Sequence, residues 1–493
     1  MVQQNINADL QKQNKPAAVA GGKRIRSLYL NAIRNRKAVW AWSIILAIAC
    51  TFISYPGIWY SDSYVRVTTA EAVANAIGKT LTGRGKPLET GNAFTVIPSF
   101  FMAPSYAVTG HFGLYTFFQA FGLFAAVFLL IQEINPPFRR TLAVLFGLSP
   151  IVYGASVYYE ANVGSLIGLI MLILLFRRAR EDKDRVDRAA EFILVALSSL
   201  ITFGYRTNAL TVVPVLVVYL FVSCRKQMVK KALTLGAMVL GIALTWLIPA
   251  VFQVHGESNA STAFVWEILT TIQRMDPDVQ AEYLDYMDDL CGEEATRSAL
   301  ETNDENSVDG FMWAPRMSPE VFSAPGAFSK VLGKYFRLIV ERPGDWLRVK
   351  ADFTAKAMGI TGPLDLYEYP YNRWERMAEY GFNDSDARKG FHASFLRFNE
   401  VFQFITCRPW VAFLVSACMV IAEAIRKNRK TELYALLLWL AIFYYLAYLI
   451  MIVVFEQRMF YPSLILLLVC DAAITSEWIC GLAARIRKRK RSF

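Results

Sequence analysis

The sequence predicts an all-α integral membrane protein with about ten transmembrane helices. It also predicts a first outer loop carrying interfacial helices, and a large, mostly helical outer loop before the last three spans. Three observations carry that prediction. Of the 493 residues, 55% are hydrophobic and only 19% charged, whereas a soluble chain carries about a quarter charged residues. The apolar residues come in blocks of about 17 to 24, the helical length that crosses a hydrocarbon core of about 30 Å. The net charge of +11 gathers in short loops and at both termini, as in cytosolic loops of membrane proteins, so the basic excess calls for no nucleic-acid partner.

Taken in order, residues 1–37 read as a cytosolic basic tail without a cleavable leader, because no small-residue cleavage site follows the first apolar run. Residues 38–252 read as an N-terminal membrane module of seven spans: 38–59, 112–132, 141–158, 161–177, 190–205, 208–224 and 232–252, with the outer loop 60–111. Residues 253–408 form an extracytoplasmic helical loop domain, and 409–480 hold the spans 409–425, 432–454 and 459–480. A second basic tail, 481–493, returns to the cytosol. With these spans the basic loops at Arg139-Arg140, 177–188, 225–231, 426–430 and 485–491 all fall on one side. Residues 93–109 are apolar but interrupted by Pro98 and Pro104. Counting them as a span would put every later basic loop outside, so they read as an interfacial or re-entrant helix.

Within the outer block, residues 276–309 are acidic without the alternating oxygen ligands of a calcium loop, which reads as a solvated surface. Leu332, Tyr335, Phe336 and Ile339, then Trp346, Val349, Phe353 and Ala357, recur at helical spacing on either side of Pro343-Gly344. They predict two amphipathic helices lying on the outer leaflet or on the spans. Of the seven cysteines, Cys50, Cys224, Cys418, Cys470 and Cys480 fall in or beside spans as small apolar residues. Cys291 and Cys407 share the outer block, where a disulfide is open to them. No Cys/His spacing resembles a zinc site.

Four polar clusters end spans on the predicted outer side. They are Asp62 with Arg66; Tyr159-Glu160; Tyr205-Arg206-Thr207-Asn208; and Glu456-Gln457-Arg458 with Tyr461. Carboxylates at the water face suit a reaction between a lipid-borne donor and a water-side acceptor better than they suit a pump, which needs charge at the midplane. Positive charge on this side is not needed for topology. The guanidinium fork of Arg206 and Arg458 matches phosphate oxygens, and a salt bridge to Glu160 or Glu456 is the structural alternative. Arg66, at a helix end, also fits an arginine snorkelling to the interface.

On Tyr55-Pro56-Gly57 with Asp62-Ser63, on 206–210, on Glu456-Gln457-Arg458 with Tyr461-Pro462, and on 341–347, the chain resembles the GT-C superfamily of polytopic glycosyltransferases. The likeness is greatest to bacterial members that use polyprenyl-phosphate sugars. The motifs are short, and the His-Pro pair that members often carry before the second span is replaced here by Ile97-Pro98. The resemblance implies an inverting transfer of a hexosyl or pentosyl group from a polyprenyl-phosphate sugar to an envelope polysaccharide, lipid or protein outside the cell membrane. It implies Asp62 as catalytic base and Arg206, Arg458 and Arg66 on the donor phosphate. Glu160, Glu456, Tyr159, Tyr205 and Tyr461 would support the site, with Glu160 or Glu456 as a second acid. No cofactor is favoured, although Asp62 with Glu160 would be the pair to hold Mg²⁺ or Mn²⁺. The alternative is a transporter or flippase of envelope precursors. Asp471, near the middle of the last predicted span, favours that reading unless a neighbouring helix hydrogen-bonds it.

Overall fold

A computed structural model describes residues 36–54, 61–81, 96–134, 159–178, 185–223, 228–252, 260–312, 314–317, 326–366, 386–428 and 430–491. Its regular structure there is helical, with two isolated β-bridges. The helices are α1 (Arg36–Ser54), α2 (Ser61–Leu81), α3 (Ile97–Thr109), α4 (Gly113–Ile134), α5 (Gly164–Arg178), α6 (Arg185–Tyr205), α7 (Val213–Ser223) and α8 (Met228–Val251). A π-turn, Tyr159–Val163, leads into α5, and a 3₁₀ segment, Thr207–Val212, joins α6 to α7. The outer block contains α9 (Ala260–Gln273), α10 (Pro277–Tyr283), α11 (Asp288–Cys291), α12 (Glu293–Thr302), α13 (Asp309–Met312), α14 (Ala327–Glu341), α15 (Pro343–Ala357) and α16 (Asp386–Thr406). The chain then runs through α17 (Pro409–Ile425), α18 (Thr431–Ile450) and α19 (Gln457–Arg491).

Five helices, α4, α6, α8, α18 and α19, are long and apolar enough to cross a membrane. The end of α16 and α17 would make a sixth, bent by 63° at Cys407-Arg408. Three shorter apolar helices, Val39–Phe52, Ala161–Arg177 and Thr207–Val222, coincide with further predicted spans, whereas 141–158 lies outside the described residues. The ten predicted spans thus reduce to five or six by length and composition. Shortness has a local cause at residues 207–222, where a 3₁₀ start replaces the first α-turn of the span.

Exposed apolar surface makes the membrane case. Trp40, Ile44, Ile48 and Phe52 form an outward stripe on α1, while Val39, Ser43, Ala47 and Cys50 face the bundle. On α8, Val229, Leu233, Leu240, Leu247 and Val251 are exposed and only a minority of the helix is covered by protein. Surface of this extent needs an apolar solvent. Inside the bundle, small residues bring helices together. A Cβ at Gly168 would stand 2.8 Å from the Ser198 carbonyl oxygen on α6, and one at Gly241 would stand 2.3 Å from that of Ala196. Such contacts replace the hydrophobic drive that lipid removes.

α3 has thirteen residues, about 20 Å of helix, too short to cross the bilayer core. Pro98 occupies its first turn, Pro104 lies inside it, and Gly110 closes it in the left-handed region at φ 72°. It packs along α2, with Ser99 Oγ donating to the Arg66 carbonyl oxygen at 3.0 Å and Tyr106 donating to Glu71 at 2.9 Å. That contact and partial burial raise the Tyr106 hydroxyl above its ordinary pKa.

Helix ends assigned to one side do meet. At one end of the bundle Arg177 pairs with Glu133 at 2.8 Å, and Lys430 reaches both the Ile134 carbonyl oxygen (2.5 Å) and Glu477 (2.8 Å). At the other end residues 162, 206 and 459 come together. In a cysteine-free background, Glu301→Cys and Arg348→Cys should react with an impermeant thiol reagent in intact cells. Lys183→Cys and Lys427→Cys should stay silent until the membrane is opened. Outside labelling of Lys183→Cys would make 97–109 a crossing and reverse the map.

The outer amphipathic helices pack on each other and on α9 rather than lying flat. α14 buries Val331, Tyr335 and Leu338, and α15 buries Val349, Phe353 and Ala357. Leu332 and Ile339 sit at the edge of the α14 stripe, whereas Phe336 points outward at 57% exposure, so the apolar face is rotated from the one expected. Cys291 and Cys407 are free thiols, and burial pushes Cys291 up to about 12.

Candidate functional site

The corner after α6 is set by packing that forbids a longer loop. Tyr205 is buried, with its ring over Gly164, where an added Cβ would lie 2.0 Å away, and its hydroxyl shares a 3.2 Å hydrogen bond with Tyr115. Gly204 lets Ile97 of α3 approach, at 2.9 Å from a built Cβ. Arg206 then leaves the helix in an extended conformation. Its Nε donates to Asn162 Oδ1 at 2.9 Å, and a terminal nitrogen lies 3.9 Å from the Met459 sulfur. Asn162 is 3% exposed, so it is a fixed anchor for the guanidinium.

The second arginine comes from the far end of the sequence. Arg458 is mostly buried and forms an ion pair through Nε with Glu456, the structural alternative named for it. The segment before it is stitched to the outer block on two sides. Val308 N–H donates to the Val453 carbonyl oxygen at 3.2 Å. Asp365 N–H donates to Phe455 (3.0 Å), and Gln457 N–H donates back to Asp365 (2.9 Å). Gln457 also donates its amide to the Thr406 carbonyl oxygen at 3.2 Å. These bonds leave residues 453–458 little freedom, so Arg458 is held where it meets the Arg206 corner.

Below the corner a hydrogen-bond chain ties three helices. Tyr444 of α18 donates to Ser165 Oγ at 3.0 Å, and Ser165 donates to the Thr202 carbonyl oxygen of α6 at 2.9 Å. Thr211 donates to the Phe443 carbonyl oxygen at 2.6 Å. Arg206 lies near enough to Tyr444 to act on it electrostatically. The corner therefore rests on a rigid base of α5, α6 and α18.

The sequence-predicted residues distribute as follows. Arg206 and Arg458 are brought to one corner, with Glu456 and Tyr205 beside them. Tyr461 is buried in the helix core at 1% exposure. Arg66 is 4% exposed on α2, beneath α3, whose Ile97 touches Gly204, so the first outer helices adjoin the corner. Asp62 stands four positions before Arg66 in the first turn of α2, and its side chain lies outside the described residues, as do those of Tyr159 and Glu160. Among the described residues no three His, Cys, Asp or Glu side chains form a group able to hold a metal ion.

Asp471 accepts a hydrogen bond from Ser416 of α17 at 2.8 Å, the helix-to-helix partner that a membrane carboxylate needs.

Two polar groups escaped the sequence reading. Asn162 follows Glu160 by two positions in the same cluster, and its small amide at a span start was the available signal. The other is Glu267 on α9, fully buried. It accepts from Lys350 Nζ at 2.5 Å and from Tyr335 at 2.6 Å, while Lys350 also reaches the Ile450 carbonyl oxygen at 3.1 Å. Trp346 donates to Tyr335 at 3.0 Å and closes the network. Burial raises the Glu267 carboxyl above its usual range, opposed by Lys350 and the Tyr335 hydroxyl. The network joins α9, α14 and α15 to the end of α18, and so sets the outer block over the corner. Compared with family models, curated proteins and solved structures, the chain matches none.

Proposed function

We propose that this is a membrane glycosyltransferase of the GT-C kind, moving a sugar from a polyprenyl-phosphate donor to an extracytoplasmic envelope acceptor. The observation that supports it best is the corner itself. Two arginines 252 positions apart are brought to one helix boundary, each seated by a polar partner and neither required for topology. Oriented guanidinium groups at the membrane edge suit a lipid phosphate, and preorganised positive charge stabilises a phosphate leaving group as its bond to sugar breaks.

In this reading the acceptor hydroxyl oxygen attacks the anomeric carbon while Asp62 takes its proton, and the anomeric carbon–oxygen bond to phosphate breaks with inversion. The electron pair passes to the prenyl phosphate, whose charge Arg206 and Arg458 balance. Arg66 and the α2–α3 pair form the wall beside the corner. Such a leaving group needs charge stabilisation more than protonation, so one carboxylate suffices and no metal is required of this chain. Glu160 is the residue that would join Asp62 if a divalent ion took part. Transport is the second reading. Asp471 gives it less support once Ser416 accounts for that carboxylate.

Donor retention tests the proposal directly. Arg206→Ala and Arg458→Ala should each weaken binding of a prenyl-phosphate sugar by about 10-fold or more, since each removes a charge-assisted contact of about 1.5–3 kcal/mol. Arg458→Lys should restore part of it, because an ammonium keeps the charge but not the planar fork. Wild-type retention in both alanine variants would leave the arginines as structural partners of Asn162 and Glu456 and remove the donor site from this corner.

A further inference from the structure

The opposite end of the same bundle carries a polar cleft that the proposed transfer does not use, and the inference drawn from it is independent of that reading. α6 and α8 run in the same direction and pack along their lengths, so their N-terminal ends lie side by side. A cleft of about 280 Å³, including its open mouth, separates them there. Arg188, Glu191, Phe192 and Val195 line it from α6, and Lys230, Leu233 and Thr234 from α8. The three- and four-residue spacings place each set on one helix face.

Both carboxylate oxygens of Glu191 are shut off from solvent, and neither has a hydrogen-bond partner among the described residues. A buried acceptor in that state destabilises the fold unless a donor reaches it. Arg188 and Lys230 bring positive charge to the same cleft. The N-terminal ends of two parallel helices add dipole ends that favour an anion. Beside the mouth, Ile193, Leu194 and Leu197 on α6 and Val229 and Leu233 on α8 are exposed apolar surface. The site thus asks for a hydrogen-bonding cation and an anion a short linker apart, attached to apolar chains.

We propose that this cleft binds the headgroup of a phosphatidylethanolamine-type lipid from the leaflet that faces the basic loops. The primary ammonium donates to Glu191, and the phosphate lies against Arg188 and Lys230. The acyl chains follow the apolar strip. Phosphatidylglycerol offers the phosphate without a cation, and the quaternary ammonium of phosphatidylcholine has no N–H to donate, so both leave Glu191 unsatisfied.

The test uses the purified full-length chain in mixed micelles with added dioleoyl phosphatidylethanolamine, phosphatidylcholine or phosphatidylglycerol. Thermal midpoint and lipid retained by native mass spectrometry are the readouts. Phosphatidylethanolamine should raise the midpoint most and be the retained species. Glu191→Gln, close to isosteric and lacking the buried charge, should fold and lose that preference, with phosphatidylglycerol then retained at least as well. Lys230→Gln should lower retention of both phosphatidylethanolamine and phosphatidylglycerol. An equal response to the three lipids overturns the proposal, as does an intact preference in Glu191→Gln. So does a shift from soluble phosphoethanolamine as large as that from the lipid, which would assign the cleft to a free headgroup compound.

Discussion

Asp62→Asn should insert, fold and retain donor lipid like the wild type, yet lose roughly 10²-fold or more of sugar transfer, measured as label moved from a prenyl-phosphate sugar to acceptor. Asparagine keeps the size of the side chain and its capacity to accept a hydrogen bond, but it does not take a proton at neutral pH. Asp62→Glu should also be poor, because about 1 Å of displacement is enough to spoil attack geometry. Glu160→Gln is the internal comparison. A mild effect leaves Asp62 acting alone, whereas a comparable loss reversed by added Mn²⁺ or Mg²⁺ would make the two carboxylates a metal pair. Full activity in Asp62→Asn would remove the catalytic assignment and favour transport instead.

The largest expected effect on stability comes from Lys350→Met. Glu267 is fully buried, and Lys350 is its ionic partner at 2.5 Å. Removing one member of a buried pair leaves an uncompensated charge, which costs about 3–5 kcal/mol. Glu267→Gln/Lys350→Met should recover most of that loss, because neither charge remains. Burial already raises the Glu267 carboxyl above its ordinary range, and Lys350→Met removes the cation that opposes the rise. A carboxyl raised in the folded state stabilises the fold fully below its unfolded pKa, and that contribution is lost as pH rises through the folded value. The single variant should therefore melt near the wild type at pH about 4 and fall away from it toward pH about 8. A pH-independent deficit would mean that Lys350 acts through packing and its bond to the Ile450 carbonyl oxygen rather than through the Glu267 charge.

Ion pairs elsewhere in the outer block are a weaker target. Arg274 bridges Glu305 and Asp352, with Lys356 beside both, but these side chains are about 22–41% exposed, where pairs contribute about 0–1 kcal/mol each.

Much of the architecture was legible because membrane spans are written in composition over a long window. A run of apolar residues at α4, α8, α18 or α19 has one low-energy outcome in lipid, a helix with its backbone satisfied internally. The prolines at 98 and 104 likewise marked α3 as something less than a span. The sidedness of the loops came from charge, and helix ends assigned to one side do meet at Arg177–Glu133 and at Lys430–Ile134. Where helical periodicity alone was used, it erred by rotation. Phe336 faces outward because Val331, Tyr335 and Leu338, rather than Phe336, meet α9.

The sequence by itself determined that this is a helical membrane protein, where its apolar segments and basic loops lie, and that arginines and carboxylates stand at the ends of particular helices. Burial and charge along the chain decide those properties locally. Only the tertiary structure decided that Arg206 sits on Asn162 and beside Met459, that Asp365 clasps the strand before Arg458, and that Glu267 is held by Lys350. Those contacts join residues 44 to 253 positions apart. They depend on how helices cross and on which small residues let them approach, and a one-dimensional pattern does not encode crossing angles or helix rotation.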